Sequence, residues 1–252
     1  HLDRVFEYFL FGLAVHVRLI GNPIYHWSHL ELKRYFAVDE LLDAQSAPRV
    51  WEQANGTLAG GKGSARALIR ESNVRALCTT DDPADGLRYH RLLAQDAAFD
   101  VTVLPTFRPE KALNLVDAGF PAYLEKLGAA AGVKIRAMDD VKEALARRAG
   151  FFAQAGCRLS DHSFGSPDFT VWDESAAEEA LKKALAGEPL LDYEIAAYQS
   201  LLMDFLGELY CGRGWAMQIH LGAQRNLSTK LYRALGADVG GDVGDRLSLL
   251  GR

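Results

Sequence analysis

Several side chains suited to acid–base chemistry or anion binding lie where apolar, β-branched runs of the sequence end: Asp82, Arg108, Asp161, His162 and His220. In parallel α/β proteins, functional side chains gather at the carboxyl ends of the strands. A guanidinium group there binds a carboxylate through two hydrogen bonds, which favours Arg108 as an anion-binding residue. An imidazole there acts as an acid, a base or a metal ligand, so we predict that Asp161, His162 and His220 join Arg108 in a catalytic group.

Each of these residues also fits a purely structural role, and the spacing leaves both open. Asp82 precedes Pro83 and suits the cap of a helix. Arg108 suits an ion pair with a surface carboxylate. Asp161 and His162 suit a loop cap followed by a solvent-facing imidazole, and His220 suits a histidine that is satisfied within the core.

The elements that must position these side chains alternate along the chain. Short apolar runs predict strands at residues 74–79, 101–106, 133–136, 157–159 and 215–221. Periodicity near 3.6 residues predicts helices between them, at residues 82–94, 140–155 and 193–210. This alternation predicts an α/β fold with a parallel sheet. Because a closed eight-stranded barrel takes about 250 residues and only five strands are predicted, we expect a partial TIM-type (β/α) barrel with additional helices.

This partial barrel is expected to form one incomplete domain over residues 1–252, with residues 6–60 as a helical segment that packs on it. The segment contains His26 and His29, which are three residues apart and would share a helix face. With Glu31 nearby they could hold a metal, but the mixture of histidine with aromatic residues such as Trp27 favours a segment that packs on the barrel or lines the rim of a substrate pocket.

The composition excludes several classes of function. The chain has 28 Lys and Arg against 33 Asp and Glu, with a net charge of −5 and no long basic run, so nucleic acid is not expected as a partner. No apolar run approaches the roughly 20 residues that cross a bilayer, and no secretory signal pattern is visible. The three cysteines, Cys78, Cys157 and Cys211, lie in apolar stretches and suggest reduced core thiols in a cytoplasmic protein. Phosphate-binding glycine loops, zincin motifs and hydrolase elbows are absent from the sequence.

Five longer strings carry a family resemblance: GNPIYHWSHLEL at 21–32, TTDDP at 79–83, LPTFRP at 104–109, GCRLSDH at 156–162 and MQIHLGA at 217–223, followed by Arg225 and Asn226. In this order, over roughly residues 6–245, the chain resembles uronate isomerase (glucuronate isomerase), a family of the metal-dependent amidohydrolase-like barrels. The resemblance implies an intramolecular oxidoreductase that interconverts D-glucuronate with D-fructuronate, and D-galacturonate with D-tagaturonate, by proton transfer through an enediol.

The resemblance also implies roles for individual residues. Arg108 would bind the substrate carboxylate or a developing enediolate oxygen, with Asp161, His162 and His220 as acid–base or hydrogen-bonding groups. Other substrate contacts would come from Arg225, Asp82, His26 and Trp27. A divalent metal, with zinc as first candidate, is implied as cofactor. The substrate is a small hexuronate, the location is the cytoplasm, and a homo-oligomer remains open.

The sequence departs from the family pattern at the metal site. The family's His-x-His pair on the first barrel strand and its aspartate on the last are not recognisable, although His1 and Leu2 could end a His-x-His-Leu string. We therefore expect a chain that is incomplete at both ends, with most metal ligands outside it. Two alternatives follow: a metal-dependent amidohydrolase in which His162 and His220 are metal ligands, or an inactive remnant that binds sugar acids.

Overall fold

The computed structural model describes residues 20–164, 169–237 and 242–244, which belong to two compact units. Unit 1 comprises His1–Arg75 and Ala98–Val101, and unit 2 comprises Ala76–Ala97 and Thr102–Arg252. That the whole chain forms one incomplete domain stays a prediction. How residues 6–60 pack on a barrel stays a prediction, and His1 and Leu2 lie outside the described residues.

Unit 1 is helical in its described part, with α1 at Pro23–Phe36, α2 at Ala47–Ala59 and α3 at Ala65–Glu71. Helix α1 begins where the side chain of Asn22 accepts a hydrogen bond from the backbone N–H of Ile24, with proline in the first turn. A small apolar core, formed by Val38, Leu42, Ala47 and Val50, packs against the partly buried side chains of Leu32 and Phe36. This unit contains His26, Trp27 and His29.

Unit 2 contains a parallel sheet of four strands in the order β1-β2-β3-β4. The strands are β1 at Ala76–Asp81, β2 at Thr102–Phe107, β3 at Leu159–Phe164 and β4 at Ala216–Leu221. The helices between them are α4 at Arg88–Ala94, α5 at Glu110–Leu113, α6 at Phe120–Ala131, α7 at Met138–Gln154, α8 at Glu174–Ala186 and α9 at Asp192–Cys211. A small antiparallel pair follows, with β5 at Ala223–Gln224 and β6 at Val243–Gly244. Helix α10, at Thr229–Leu235, lies between these two strands in the sequence.

The α/β class and the parallel sheet are confirmed, and the described strands form an open sheet consistent with part of a TIM-type barrel. Its core lies where the longer helices cover the sheet. Phe107 of β2 meets Phe152 of α7 edge to face, with ring centroids 5.2 Å apart, and Tyr210 of α9 is also fully buried. Among the described residues, no helix combines the length and apolar character needed to cross a membrane.

One predicted strand is wrong. Residues 133–136 connect α6 to α7 without pairing to the sheet. Helix α6 ends at Gly132, whose φ of 66° lies in the left-handed region, and the N–H of Val133 bonds back to the carbonyl of Gly128. The apolar residues after the glycine therefore cover the end of a helix instead of forming a strand.

Two other boundaries differ in ways that affect the site. The helix predicted to begin at Asp82 begins at Arg88, because the carboxylate of Asp82 accepts from the N–H of Ala84 and closes a turn. Strand β3 continues to Phe164, so Asp161 and His162 lie within the strand and not in the loop after it.

The prediction that all three cysteines are core thiols holds for one of them. Cys157 is buried, and burial raises the pKa of its thiol. Cys78 and Cys211 are exposed. Cys78 lies on edge strand β1, whose alternate residues face outward, and Cys211 is the last residue of α9.

Candidate active site

Asp161 on β3 is the centre of a group of polar side chains from three neighbouring strands. Its Oδ2 accepts a hydrogen bond from Nη1 of Arg108 at 3.1 Å, and its Oδ1 lies 2.8 Å from Nε2 of His220. The amide nitrogen of Gln218 lies 3.4 Å from the same Oδ1. The Asp161 side chain is only 6% exposed, so this carboxylate is stabilised by its neighbours rather than by water. The predicted convergence of Arg108, Asp161 and His220 is therefore present in the structure.

The register of the sheet explains this convergence. Asp161 is paired with Gln218, and Ser163 with His220, so residues two apart on β4 lie on the same face as Asp161. Arg108 follows the last residue of β2, and its backbone N–H donates to the carbonyl of Asp81 at the end of β1. The four strands therefore bring their carboxyl ends to one edge, as parallel pairing requires.

His220 can exchange hydrogen-bond partners when it gains or loses a proton. Its Nε2 lies 2.8 Å from the Asp161 carboxylate and 2.9 Å from the amide nitrogen of Gln218. When Nε2 carries a proton it donates to Asp161, and when it does not, it accepts from Gln218. The ring is about half exposed, so it is also accessible to a ligand. These are properties of an acid–base group.

Arg108 is held by two carboxylates. Its Nε donates to Glu110 at 2.6 Å while Nη1 donates to Asp161, and none of the described residues accepts a hydrogen bond from Nη2. The residue lines a cleft of about 420 Å³ together with Thr80, Asp81, Asp82, Glu110, Lys111 and Asn114. The fork of the guanidinium is therefore oriented before any ligand arrives, with donors left to bind one.

Asp82 contributes to the turn after β1 and to the cleft. Besides the hydrogen bond from Ala84, its Oδ2 lies 3.3 Å from Nζ of Lys111. The turn itself is anchored by the buried Arg148 of α7, whose guanidinium donates to the carbonyls of Pro83 and Asp85. One oxygen of Asp82 thus fixes the turn, as the structural interpretation predicts, and the other pairs with a lysine that lines the cleft.

The structure does not bring His162 to this cleft. Its ring is 1% exposed, stacks parallel to Phe164 at 6.0 Å and lies 5.7 Å from the ring of Tyr210. Alternation along β3 places it on the opposite face from Asp161. Neither ring nitrogen has a hydrogen-bond partner in the described part of the chain. Burial lowers the pKa of His162 to about 4, partly opposed by the Asp161 carboxylate and reinforced by Arg108.

The other predicted contacts lie elsewhere. Arg225, just after β5, pairs with Asp242 at 2.9 Å in the antiparallel pair. His26 and Trp27 lie exposed on α1 of unit 1. His29 uses both ring nitrogens: Nδ1 lies 2.8 Å from the carbonyl of Tyr25, and Nε2 accepts from the N–H of Leu42. That pairing favours a structural role over the metal-ligand alternative.

The sequence places Asp81 at a strand end and Gln218 on the same strand face as His220, but it assigned no role to either of them or to Glu110. The contacts of Asp81 and Gln218 were detectable from strand alternation, because each lies two residues from another polar side chain of its strand. Glu110 begins α5 two positions after Arg108, and no periodicity of the sequence indicates this contact. Across the described ranges, no group of three His, Cys, Asp or Glu side chains is arranged to hold a metal ion.

Comparisons with known proteins agree on one family. A family model described as glucuronate isomerase matches residues 7–249. The uronate isomerase of Bacillus licheniformis is 48% identical over 224 residues, covering 89% of this chain and 47% of that protein. The uronate isomerase of Caldicellulosiruptor saccharolyticus is 46% identical over 237 residues, covering 94% of this chain and 51% of that protein.

Two solved structures have the same fold. The uronate isomerase of Thermotoga maritima superposes with a TM-score of 0.85 at 35% identity, over 92% of this chain and 51% of that one. The glucuronate isomerase of Caulobacter crescentus gives a TM-score of 0.80 at 24% identity, over 90% of this chain and 47% of that one. The chain thus spans about half the length of the relatives that it matches.

Proposed function

Because this chain belongs to the glucuronate isomerase family, we propose that it contributes the hexuronate cleft of an aldose–ketose isomerase. The reaction interconverts D-glucuronate with D-fructuronate, and D-galacturonate with D-tagaturonate. A proton leaves C2 of the open-chain aldose, an enediol forms, and a proton is added at C1. The observation that carries the proposal is the oriented group of Arg108, Asp161 and His220 beside a cleft of suitable size.

The roles follow from the contacts. Nη2 of Arg108 donates to a carboxylate or enediolate oxygen of the substrate, while Glu110 and Asp161 fix the guanidinium plane. His220 exchanges a proton with the substrate, and Asp161 stabilises the imidazolium that results. His162 has no role in this scheme because it lies in the core on the other face of β3.

Further substrate contacts are proposed for Asp82 in the cleft, for Arg225 as a second carboxylate-binding residue, and for His26 and Trp27 of unit 1. A divalent metal, with zinc as first candidate, remains part of the proposal. The described residues do not fit a metal site by themselves, because they contain no group of three candidate ligands, so no step above depends on the ion. A cytoplasmic location and a homo-oligomer are also proposed.

The test is direct conversion of substrate. We expect the purified protein, supplied with Zn²⁺, to convert D-glucuronate to the ketose, followed by proton NMR. Arg108→Met should lower kcat/KM at least about 100-fold, because the substrate's carboxylate or enediolate oxygen loses its charged hydrogen-bond donor. Arg147→Met, which alters an exposed arginine of α7, is the matched control and should leave kcat/KM unchanged.

Three results would overturn the proposal. Equal activity of Arg108→Met and wild type would exclude Arg108 from the site. Binding of D-glucuronate without conversion would favour a sugar-acid-binding protein, and release of a hydrolysis product from an amide or lactone would favour an amidohydrolase.

A further inference from the structure

Asp81 differs from the other two carboxylates that line the cleft. Asp82 uses both oxygens, one for the N–H of Ala84 and one for Lys111. Glu110 pairs with Arg108 and is 43% exposed. The side chain of Asp81 is 14% exposed, its hydrogen bonds and its ion pair within the described residues all involve Oδ2, and no described residue donates to Oδ1. One oxygen of this nearly buried carboxylate is therefore fixed and the other is available.

A short polar relay fixes Oδ2. The hydroxyl of Thr79 donates to it at 2.6 Å, and the same hydroxyl oxygen lies 2.7 Å from Nε2 of His90 on α4. A hydroxyl has one proton, so Thr79 accepts from the N–H of His90 while it donates to Asp81. The carbonyl of Leu104, at 3.4 Å, is the weaker alternative acceptor for that proton.

Two further contacts complete the environment of Oδ2. The backbone N–H of Thr106 lies 3.4 Å away and Nε2 of His90 lies 3.6 Å away. The imidazole of His90 is 11% exposed, so the relay is shielded from water. Charge-assisted hydrogen bonds of this kind hold a carboxylate in one orientation. The orientation of Asp81 is thus determined by contacts to Oδ2, and the residue lines the cleft.

We propose that Oδ1 of Asp81 accepts a hydrogen bond from a hydroxyl group of the bound sugar acid, and that Thr79 and His90 are positioning residues for it. This inference rests on the proposed hexuronate substrate. A simple anionic ligand would be repelled by the Asp81 carboxylate. A polyhydroxy acid can instead donate a hydroxyl hydrogen bond to Asp81 while the carboxylate of the acid binds Arg108. Asp81 is then a residue that selects for hydroxylated acids.

The first test distinguishes a role of Asp81 and Thr79 in binding the substrate from a role in folding. Asp81→Asn keeps the size of the side chain and removes its charge, and it should raise KM for D-glucuronate about tenfold or more with a smaller change in kcat. Thr79→Val removes the relay hydroxyl and should raise KM about threefold or more, while Thr79→Ser should restore KM to within about twofold of wild type. Unchanged KM in Asp81→Asn, or equal impairment of the valine and serine variants, would overturn the inference.

The second test identifies the hydroxyl group that Asp81 contacts. KM is measured for D-glucuronate and for its 3-, 4- and 5-deoxy derivatives with wild type and with Asp81→Asn. For the derivative that lacks the contacted hydroxyl, the two proteins should have equal KM, because neither can make the bond. A penalty that persists with every derivative would overturn the inference. Glu143→Gln, the same chemical change on the exposed surface of α7, is the control and should have the KM of wild type.

The two proposals fail in different ways. A wild-type protein that neither binds nor converts D-glucuronate overturns the proposed function, and this inference with it. A wild-type protein that binds and converts the substrate, with Asp81→Asn equal to it, overturns only the role of Asp81.

Discussion

Replacing Arg148 by methionine should destabilise unit 2 far more than the same change at its neighbour Arg147. The Arg148 guanidinium is buried and donates to the carbonyls of Pro83 at 2.6 Å, Asp85 at 2.7 Å and Ala130 at 3.1 Å. It therefore joins α7 to the turn that carries Asp82 and to the end of α6. Methionine fills much of the same space but leaves all three acceptors without their donor.

The magnitude follows from the burial of these bonds. Leaving a buried hydrogen-bonding group without its partner costs about 1–3 kcal/mol. Only the bond to Pro83 is fully buried, whereas the other two carbonyls are reached in part by water. We therefore expect a loss of about 3 kcal/mol in the free energy of unfolding, most of it from the bond to Pro83. Arg147 is half exposed, and its contacts with Glu143 and with the carbonyls of Ala131 and Gly132 lie at the surface, so Arg147→Met should cost no more than about 1 kcal/mol.

Urea unfolding followed by circular dichroism measures both variants. The slope of free energy against urea should stay constant, so that the midpoint alone reports the loss. In the isomerase assay, Arg148→Met should also raise KM, since the turn bearing Asp82 loses its anchor. If Arg148→Met were no less stable than Arg147→Met, the three hydrogen bonds would not hold the turn in the way described.

Two further predictions concern β3. Burial lowers the pKa of His162 to about 4 in the folded protein, whereas the imidazole takes up its proton near pH 6.5 in the unfolded chain. The contribution of the neutral, buried ring to the free energy of unfolding is therefore complete above pH 6.5. About 3 kcal/mol of it is lost as the pH falls towards 4. His162→Leu should remove this part of the pH dependence of thermal unfolding, and a profile that coincides with wild type would contradict the buried, neutral imidazole. Asp161→Asn should lower kcat/KM for D-glucuronate at least about 100-fold while the protein stays folded, because Arg108 and His220 lose the negative charge that they share and one of its two acceptor oxygens. Activity near the wild-type value would exclude this carboxylate from the chemistry.

Much of the sheet was predictable because its strands are short apolar runs separated by helices with clear periodicity. The predicted strands at residues 101–106 and 215–221 differ by one residue from Thr102–Phe107 and Ala216–Leu221. Residues 133–136 have the same apolar character but follow a helix end at Gly132. Composition alone does not distinguish an apolar segment that pairs in a sheet from one that covers a helix terminus.

The site was predictable where the side chain follows directly from a strand end. Arg108 lies one residue beyond β2 and His220 one residue before the end of β4, so both reach the same edge. The positions of Asp161 and His162 were harder to predict, because the apolar run that indicates their strand is only three residues long and ends before them. Since side chains alternate along a strand, extending β3 through both residues directs Asp161 towards Arg108 and His220 and directs His162 into the core.

The charges of the cleft favour the proposed polyhydroxy acid over a simple anion. Arg108 already faces Glu110 and Asp161, and Lys111 faces Asp82, so each cation is partly neutralised before a ligand binds. A small anion would therefore gain little from charge alone. A sugar acid adds hydroxyl groups, which can donate to the available oxygen of Asp81 while its carboxylate or enediolate oxygen takes the remaining donors of Arg108. Directional hydrogen bonds to a pre-oriented site, more than net charge, would then determine which ligand this cleft accepts.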